Sequence, residues 1–220
     1  MKRALLAEAT GTALLLMAVV GSGIMGEQLA DGNRGLALLA NAVSTGAMLY
    51  GLITVLRPVS GGHFNPAVTL CFWLRKEIPT LTALLYSLAQ VAGGILGVWA
   101  THLMFGLAVL QQSATARTGG GQWLSEALAT AGLLLMIHGG RRHQPAAVPA
   151  LVALYITSAY WFSSSTSFAN PAVTIARGMT DTFSGIMPTH VPLFVAMQLL
   201  SAAVATPLLS WLFSSGVRGK

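Results

Sequence analysis

Charged side chains are scarce in this sequence. Only 8% of its 220 residues are Asp, Glu, Lys or Arg, whereas 54% are hydrophobic; soluble domains usually carry about a quarter charged residues. A chain with so few charges cannot cover its surface with side chains that suit water, so a lipid bilayer is its expected solvent. Because the basic residues lie in short clusters between apolar runs, we interpret the net positive charge as a topology signal rather than a nucleic-acid signal.

Cysteine is nearly absent as well. The single Cys71 excludes a disulfide within the chain, and with it the scaffold of small disulfide-rich secreted proteins. The five histidines show no metal-ligand spacing, and no nucleophile lies beside an acid–base pair. We therefore predict no metal, no cofactor and no enzymatic activity.

Long apolar segments are abundant. A spanning helix needs about 20 mostly apolar residues, and the windows that provide them are 4–26, 36–57, 80–105, 122–140, 147–165 and 190–213. Two further apolar stretches begin near residues 66 and 171 and are too short to span. The first window also fits a signal peptide, but the glutamate within it and the later echo of the segment favour a retained helix.

The two halves of the sequence are similar. AEATGTALLLM (7–17) and SEALATAGLLLM (125–136) each place a glutamate near the start of an apolar run. With three spans per half, the second copy is inverted relative to the first. We predict a single membrane domain, 1–220, of inverted repeats 1–110 and 120–215, with the substrate path near the midplane between them.

Basic residues predict the orientation, because cytoplasmic loops carry an excess of Lys and Arg. One side of the membrane would carry Lys2, Arg3, Arg57, Arg75, Lys76, Arg141, Arg142, Arg218 and Lys220. The other side would carry only Arg34, Arg117 and Arg177. Both termini are therefore predicted to be cytoplasmic.

One motif occurs twice, as Asn65-Pro66-Ala67 and as Asn170-Pro171-Ala172. Asn is a preferred N-cap and Pro is favoured at the first helical position, so each motif predicts the start of a half-helix. In the inverted arrangement the two positive helix ends meet in mid-membrane. If each Asn oxygen caps its own helix, its NH₂ group is left to donate into the space between. Irregular backbone at this depth must be buried in protein or line a water-filled cavity, so the motifs indicate a narrow pore hostile to cations.

Over essentially its whole length the sequence resembles the aquaporin (major intrinsic protein) family. The similar segments are SGGHFNPAVTL (60–70), FANPAV (168–173), AQVAGG (89–94) and the glutamates Glu8 and Glu126. The resemblance implies an all-α membrane protein of six transmembrane helices and two re-entrant half-helices. It also implies a homotetramer in the bacterial inner membrane, with one passive pore per subunit for water and small neutral solutes.

One position departs from the family pattern. Most members have an arginine directly after the second motif, where it forms the outer constriction with three other side chains; here the residue is Val173. Family spacing assigns the other positions to Thr45, Ser158 and Ser167. Such a neutral filter implies passage of glycerol, urea and undissociated metalloid acids such as arsenous acid, as in bacterial aquaglyceroporins associated with arsenic resistance. A strictly water-selective channel is the alternative.

Arg177 and the buried acids each have two interpretations. The Arg177 guanidinium can lean back toward the level of the missing charge, but an exposed pair with Asp181 at the outer rim is simpler and is favoured here. Glu8 and Glu126 either relay protons, as in a secondary transporter, or accept hydrogen bonds from the re-entrant loops, which the architecture favours. His63 either lines the inner pore or anchors its loop, and anchoring is favoured. A closed pore with a structural role in adhesion is disfavoured by the short loops.

Overall fold

The computed structural model describes residues 1–214, which form long helices joined by short connections. Within this range the α-helices are α1 Lys2–Leu29, α2 Arg34–Ser60, α3 Pro66–Leu74, α4 Thr80–Met104, α5 Gly120–His143, α6 Val148–Phe162, α7 Pro171–Arg177 and α8 Val191–Leu212. Short 3₁₀ turns at Pro145–Ala147 and Pro188–His190 lead into α6 and α8. The end of the second predicted repeat at 215, and the basic residues Arg218 and Lys220, lie outside the described residues.

Six helices are long enough to cross a bilayer. Among the described residues, five of them (α1, α2, α4, α6 with its preceding turn, and α8) are both long and apolar enough to span. Helix α5 has 24 residues, or about 36 Å at 1.5 Å per residue, and it is less apolar because its last turn carries Arg141, Arg142 and His143. Helices α3 and α7 have only 9 and 7 residues, so they cross part of the hydrocarbon layer. The predicted fold class is confirmed.

The outer faces of all six long helices are apolar. Each helix exposes a large aliphatic side chain by more than half of its surface: Leu6, Val55, Leu88, Leu128, Leu154 and Leu208. A contiguous apolar surface of this kind suits lipid rather than water. Because α5 contributes Leu128, it belongs with the other membrane helices despite its basic end.

Helices α1 and α4 pack backbone against backbone. Two glycines of α4 lie so close to α1 that a β-carbon on either would overlap a carbonyl group; they are Gly93, against Ala9, and Gly97, against Ala13. Small residues spaced by four permit this approach. The contact brings Gln90 of α4 beside Glu8 of α1, where its Nε2 donates to Glu8 Oε2 at 2.7 Å. Close packing of the two helices therefore positions the group that supports the first half-helix.

Candidate pore

A cavity of about 320 Å³ lies between the long helices and is lined by the N-termini of both half-helices. Its volume is in the range of sites that hold small molecules. Most of the lining surface is apolar, with aliphatic side chains from α1, α2, α5 and α6. Polar groups are concentrated at the centre and at the two ends. The cavity thus reaches from the C-terminal ends of α2 and α5 to the C-terminal end of α6.

The two motif asparagines lie at the centre of this cavity. Asn65 Oδ1 accepts from the backbone N–H of its own half-helix at 2.8 Å, and Asn170 Oδ1 does the same at 3.0 Å. Their Nδ2 atoms donate across to the other loop, Asn65 to the carbonyl of Ala169 at 2.7 Å and Asn170 to that of Phe64 at 2.8 Å. Each NH₂ group was expected to donate into the space between the half-helices, and one of its N–H groups is taken by the opposite loop instead. An amide nitrogen carries two hydrogens, so each asparagine keeps one N–H for the cavity.

The residue before each asparagine has an unusual backbone conformation. Phe64 has a φ of 48° and Ala169 a φ of 46°, in the left-handed region that costs a non-glycine residue about 1–2 kcal/mol. With this conformation, the carbonyl of each residue accepts the hydrogen bond from the asparagine of the opposite half-helix. Strain of this kind persists only where the surroundings hold the backbone in place.

Glu8 holds the first loop. It is fully buried, and its Oε1 accepts from Ser60 Oγ at 2.6 Å and from His63 N at 3.0 Å. Its Oε2 accepts from Phe64 N at 2.7 Å and from Gln90 Nε2 at 2.7 Å. Four donors satisfy the carboxylate and fix the loop backbone, which is the loop-supporting arrangement rather than a proton relay.

Glu126 holds the second loop in the same way. It is also fully buried and accepts from Phe168 N and Ala169 N, both at 2.9 Å. Gln198 Nε2 donates to the same carboxylate at 2.5 Å and to Thr174 Oγ1 at 2.8 Å. The loop is thus tied to α5, α7 and α8 together.

The constriction residues predicted from family spacing are only partly brought together. Thr45, Ser167 and Val173 are buried and line the cavity. Ser158 is exposed on the outer face of α6, so its assignment is wrong. Tyr160, two residues later, lines the cavity instead, and its hydroxyl lies 3.2 Å from Thr45 Oγ1.

The error at Ser158 has a simple geometric cause. At 3.6 residues per turn, side chains two positions apart on a helix point to nearly opposite faces. Counting back from the motif across the segment between α6 and α7 thus chose a residue two positions before Tyr160, on the exposed face. The periodicity of α6 contained the signal, because Val152, Ile156 and Tyr160 recur every four residues and all line the cavity.

Arg177 is not at the surface. It is only 2% exposed and lines the cavity. Its Nε donates to the carbonyl of Ser184, and its guanidinium carbon lies 3.4 Å from the ring centroid of Phe168. Asp181 instead accepts a hydrogen bond from Ala114 N at 2.9 Å. The predicted exposed Arg177–Asp181 pair is therefore wrong, and the outer part of the cavity does carry a cation.

The opposite end of the cavity is lined by His63, Phe72 and Arg141. His63 combines both predicted positions, since it lines the cavity and its Nδ1 lies 3.1 Å from Thr69 Oγ1. The His63 ring packs on Phe72 with centroids 4.4 Å apart. The guanidinium carbon of Arg141 lies over the Phe72 ring, 4.6 Å from its centroid.

Arg141 also pairs with Glu77 at 2.7 Å, and Arg75 shares the same carboxylate. Arg57 lines this end as well, and its Nη1 donates to the Pro145 carbonyl at 2.7 Å.

His102, His138 and Cys71 are engaged in packing. His102 contacts the Val109 carbonyl and Thr180 Oγ1, each at 2.8 Å. Cys71 is buried with its Sγ 3.6 Å from His138 Nε2. In the part of the chain that the structure describes, no cluster of His, Cys, Asp or Glu could hold a metal ion.

The fold and the cavity together define a membrane channel built around two opposed half-helices. A model of the major intrinsic protein family matches residues 1–164, which is most of the chain. The chain therefore belongs to the major intrinsic protein family, whose members are channels for water and small solutes and not enzymes. The family predicted from the sequence is confirmed, as is a channel rather than an enzyme.

Individual relatives sharpen this assignment. Aquaglyceroporin AqpS of Rhizobium meliloti (strain 1021) is 53% identical over 210 residues, covering 96% of this chain and 90% of that protein. Aquaporin PIP2-7 of Musa acuminata is 40% identical over 98 residues, covering 44% of this chain and 35% of that protein. The structure of the aquaglyceroporin from Plasmodium falciparum matches with a TM-score of 0.72 over 96% of this chain and 99% of that chain, at 18% identity. This last likeness concerns the fold alone.

Proposed function

We propose that this channel passes water together with larger neutral solutes: glycerol, urea and undissociated metalloid acids such as arsenous acid. The observation that carries the proposal is Val173, which faces the cavity where most of the family has arginine. Its side chain is shorter and uncharged, so it leaves room at the wall of the outer constriction. The similarity to a protein named as an aquaglyceroporin supports the same solute class.

The chemistry of the constriction suits solutes that carry both hydroxyl and apolar groups. Thr45 and Tyr160 hold their hydroxyls together on one side, whereas Val173 and Ile156 present apolar surface. Ser167 Oγ is buried and has no hydrogen-bond partner within residues 1–214. A buried hydroxyl without a partner is costly, so Ser167 offers a hydrogen bond that a passing solute satisfies.

The centre of the pore favours neutral solutes. Each motif asparagine has one N–H left for the cavity and lies at the positive end of a half-helix, equivalent to about half a unit charge. Two such ends facing one another repel cations in a medium of low dielectric constant. We assign Asn65 and Asn170 the role of central donors, with Pro66, Ala67, Pro171 and Ala172 shaping the helix starts.

Assembly and location form part of the proposal. The resemblance to the family implies a homotetramer, in the bacterial inner membrane, with both termini cytoplasmic. Light scattering coupled to size-exclusion chromatography in detergent measures the number of subunits, and labelling of a cysteine introduced beside Lys2 in intact cells reports the side of the N-terminus. A monomer, or a label that reacts from outside, would contradict the respective statement.

The solute class is tested by stopped-flow light scattering on proteoliposomes containing the wild-type channel, with protein-free liposomes as the control. Water, glycerol, urea and arsenous acid are compared in one preparation. We expect each of the four fluxes to exceed that of the control liposomes. Flux of water alone would support the alternative, a strictly water-selective channel.

A further inference from the structure

We propose that Arg177 supplies the fixed positive charge of the outer constriction, one helical turn beyond the family's usual position, and that it excludes cations without closing the pore to larger neutral solutes. The proposal rests on the channel function proposed above. It concerns a different property, namely the permeability to ions.

Arg177 is placed where it can act on the permeating species. It follows Val173 by four residues in α7, so both side chains lie on the same helix face, and both line the cavity. Four residues of helix correspond to about 6 Å along the axis. The charge thus enters the cavity further from the motif, while the small Val173 lines the cavity nearer to it.

The guanidinium is held rigidly. Its Nε donates to the Ser184 carbonyl, and its plane lies against the Phe168 ring at 3.4 Å from the centroid. The Phe168 backbone is itself anchored, because its N–H donates to Glu126 Oε1 at 2.9 Å. A planar cation on an aromatic face is a favourable arrangement for a desolvated arginine.

The charge of Arg177 is not cancelled by a carboxylate. Within residues 1–214 the ion pairs are those of Glu77 with Arg75 and with Arg141, at the other end of the cavity. Glu126 is turned toward the loop N–H groups, and the nearby Arg117 donates its Nε to the Gly185 carbonyl at 2.8 Å. A buried charge without a counterion is costly unless it is solvated. Arg177 is instead stabilised by the Ser184 carbonyl and the Phe168 ring. Because it lines the cavity and no carboxylate compensates its charge, its field acts on the pore.

The first half-helix shows that the residue seven positions after the motif asparagine faces the pore in both halves of the fold. Phe72 follows Asn65 by seven residues, as Arg177 follows Asn170, and both line the cavity. Phe72 packs on His63, two residues before its asparagine. Arg177 packs on Phe168, which occupies the same place in the second half. The geometry is shared, but only the second half places a permanent cation there.

The test compares ion leak with neutral-solute flux in the same proteoliposomes. We expect Arg177→Gln to keep glycerol flux at or above the wild-type level and to raise K⁺ or proton leak by about tenfold or more, because a charge in a water-poor site acts strongly over a few ångströms. The double variant Val173→Arg with Arg177→Gln returns a charge to the constriction and should suppress the leak again. Arg142→Gln, which removes an exposed arginine outside the cavity lining, is the matched control and should leave the leak unchanged.

Each outcome supports or contradicts either the role of Arg177 or the proposed solute class. An Arg177→Gln channel that conducts glycerol and is as tight to cations as the wild type overturns the inference and leaves the proposed solute class intact. A wild-type channel that conducts only water contradicts the proposed solute class, while the leak of Arg177→Gln still tests the inference. If Arg177→Gln does not fold, Phe168→Leu replaces it: loss of the aromatic support should raise the leak about threefold with Arg177 present, and an unchanged leak contradicts the proposal.

Discussion

The two half-helices are anchored alike but end differently. In each half a buried glutamate accepts the two N–H groups before the asparagine, and a glutamine from the following long helix bridges that glutamate to a threonine of the half-helix. Each asparagine then donates to the carbonyl that precedes the other. The sequence difference begins beyond these contacts, at the residues that line the two ends of the cavity.

At one end, His63 packs on Phe72, and the nearby Arg141 shares the Glu77 carboxylate with Arg75. At the other end, Phe168 packs on Arg177, which has no carboxylate partner among the described residues. The comparison teaches that the shared contacts build the pore, whereas the residues that differ at equivalent positions place an aromatic ring, Phe72, at one end of the cavity and a buried arginine, Arg177, at the other.

The largest effect is expected from the shared anchors. Glu126→Gln and Glu8→Gln each replace one carboxylate oxygen with an NH₂ group, which cannot accept the hydrogen bond of a loop N–H. Every buried N–H group left without an acceptor costs about 1–3 kcal/mol. We expect both variants to lose several degrees of thermal stability in detergent and most of their flux, as followed by fluorescence-detected size-exclusion chromatography after heating. If only one of the two variants loses thermal stability and flux, the two glutamates are not equivalent anchors.

The next effect concerns the crossed asparagine bonds. Asn65→Asp and Asn170→Asp each remove one cross-link donor and place an acidic group at the centre, which favours cations. We expect a lower stability by about 1–3 kcal/mol and a measurable cation leak in proteoliposomes loaded with a pH-sensitive dye. Unchanged solute and cation fluxes in both variants would refute the account of the pore centre.

A smaller effect separates the two candidates on α6. Tyr160→Ala removes a ring from the constriction, so glycerol and urea permeability should rise severalfold relative to water. Ser158→Ala changes a side chain on the outer face and serves as the matched control, with permeabilities equal to the wild type. Stopped-flow traces that respond to Ser158→Ala, but not to Tyr160→Ala, would restore the assignment made from family spacing.

The smallest effect is expected at the Glu77 ion pairs. Burial alone would raise the pKa of Glu77, but its bonds with Arg141 and Arg75 outweigh this and hold the pKa below its ordinary value of 4.5. A carboxylate with a lowered pKa stabilises the folded state above its unfolded pKa, and the contribution is lost as the pH falls through the folded value. Because the pair is partly exposed, we expect about 1 kcal/mol or less, constant above pH 4.5. The unfolding temperatures of Glu77→Gln and the wild type should therefore differ at pH 7 and converge in acid. A difference that persists in acid contradicts this account of the Glu77 ion pairs.

Much of the fold was predictable from the sequence because the bilayer imposes strong constraints. Span length, the paired motifs and Glu8 and Glu126 follow from hydropathy and capping rules. The errors arose where a position depends on loop length or three-dimensional proximity. Ser158 was assigned by counting back from the second motif across the loop before α7. Arg177 was given its sequence neighbour Asp181 because its aromatic partner, Phe168, precedes it by nine residues across a turn.

The central claim is that Val173 in the outer constriction admits solutes larger than water. The most direct measurement is the ratio of glycerol to water permeability for the wild type and for Val173→Arg, reconstituted at equal protein density. The account predicts that the arginine variant keeps water flux and loses at least most of its glycerol flux, so that the ratio falls. An unchanged ratio in a folded, water-conducting variant would contradict it.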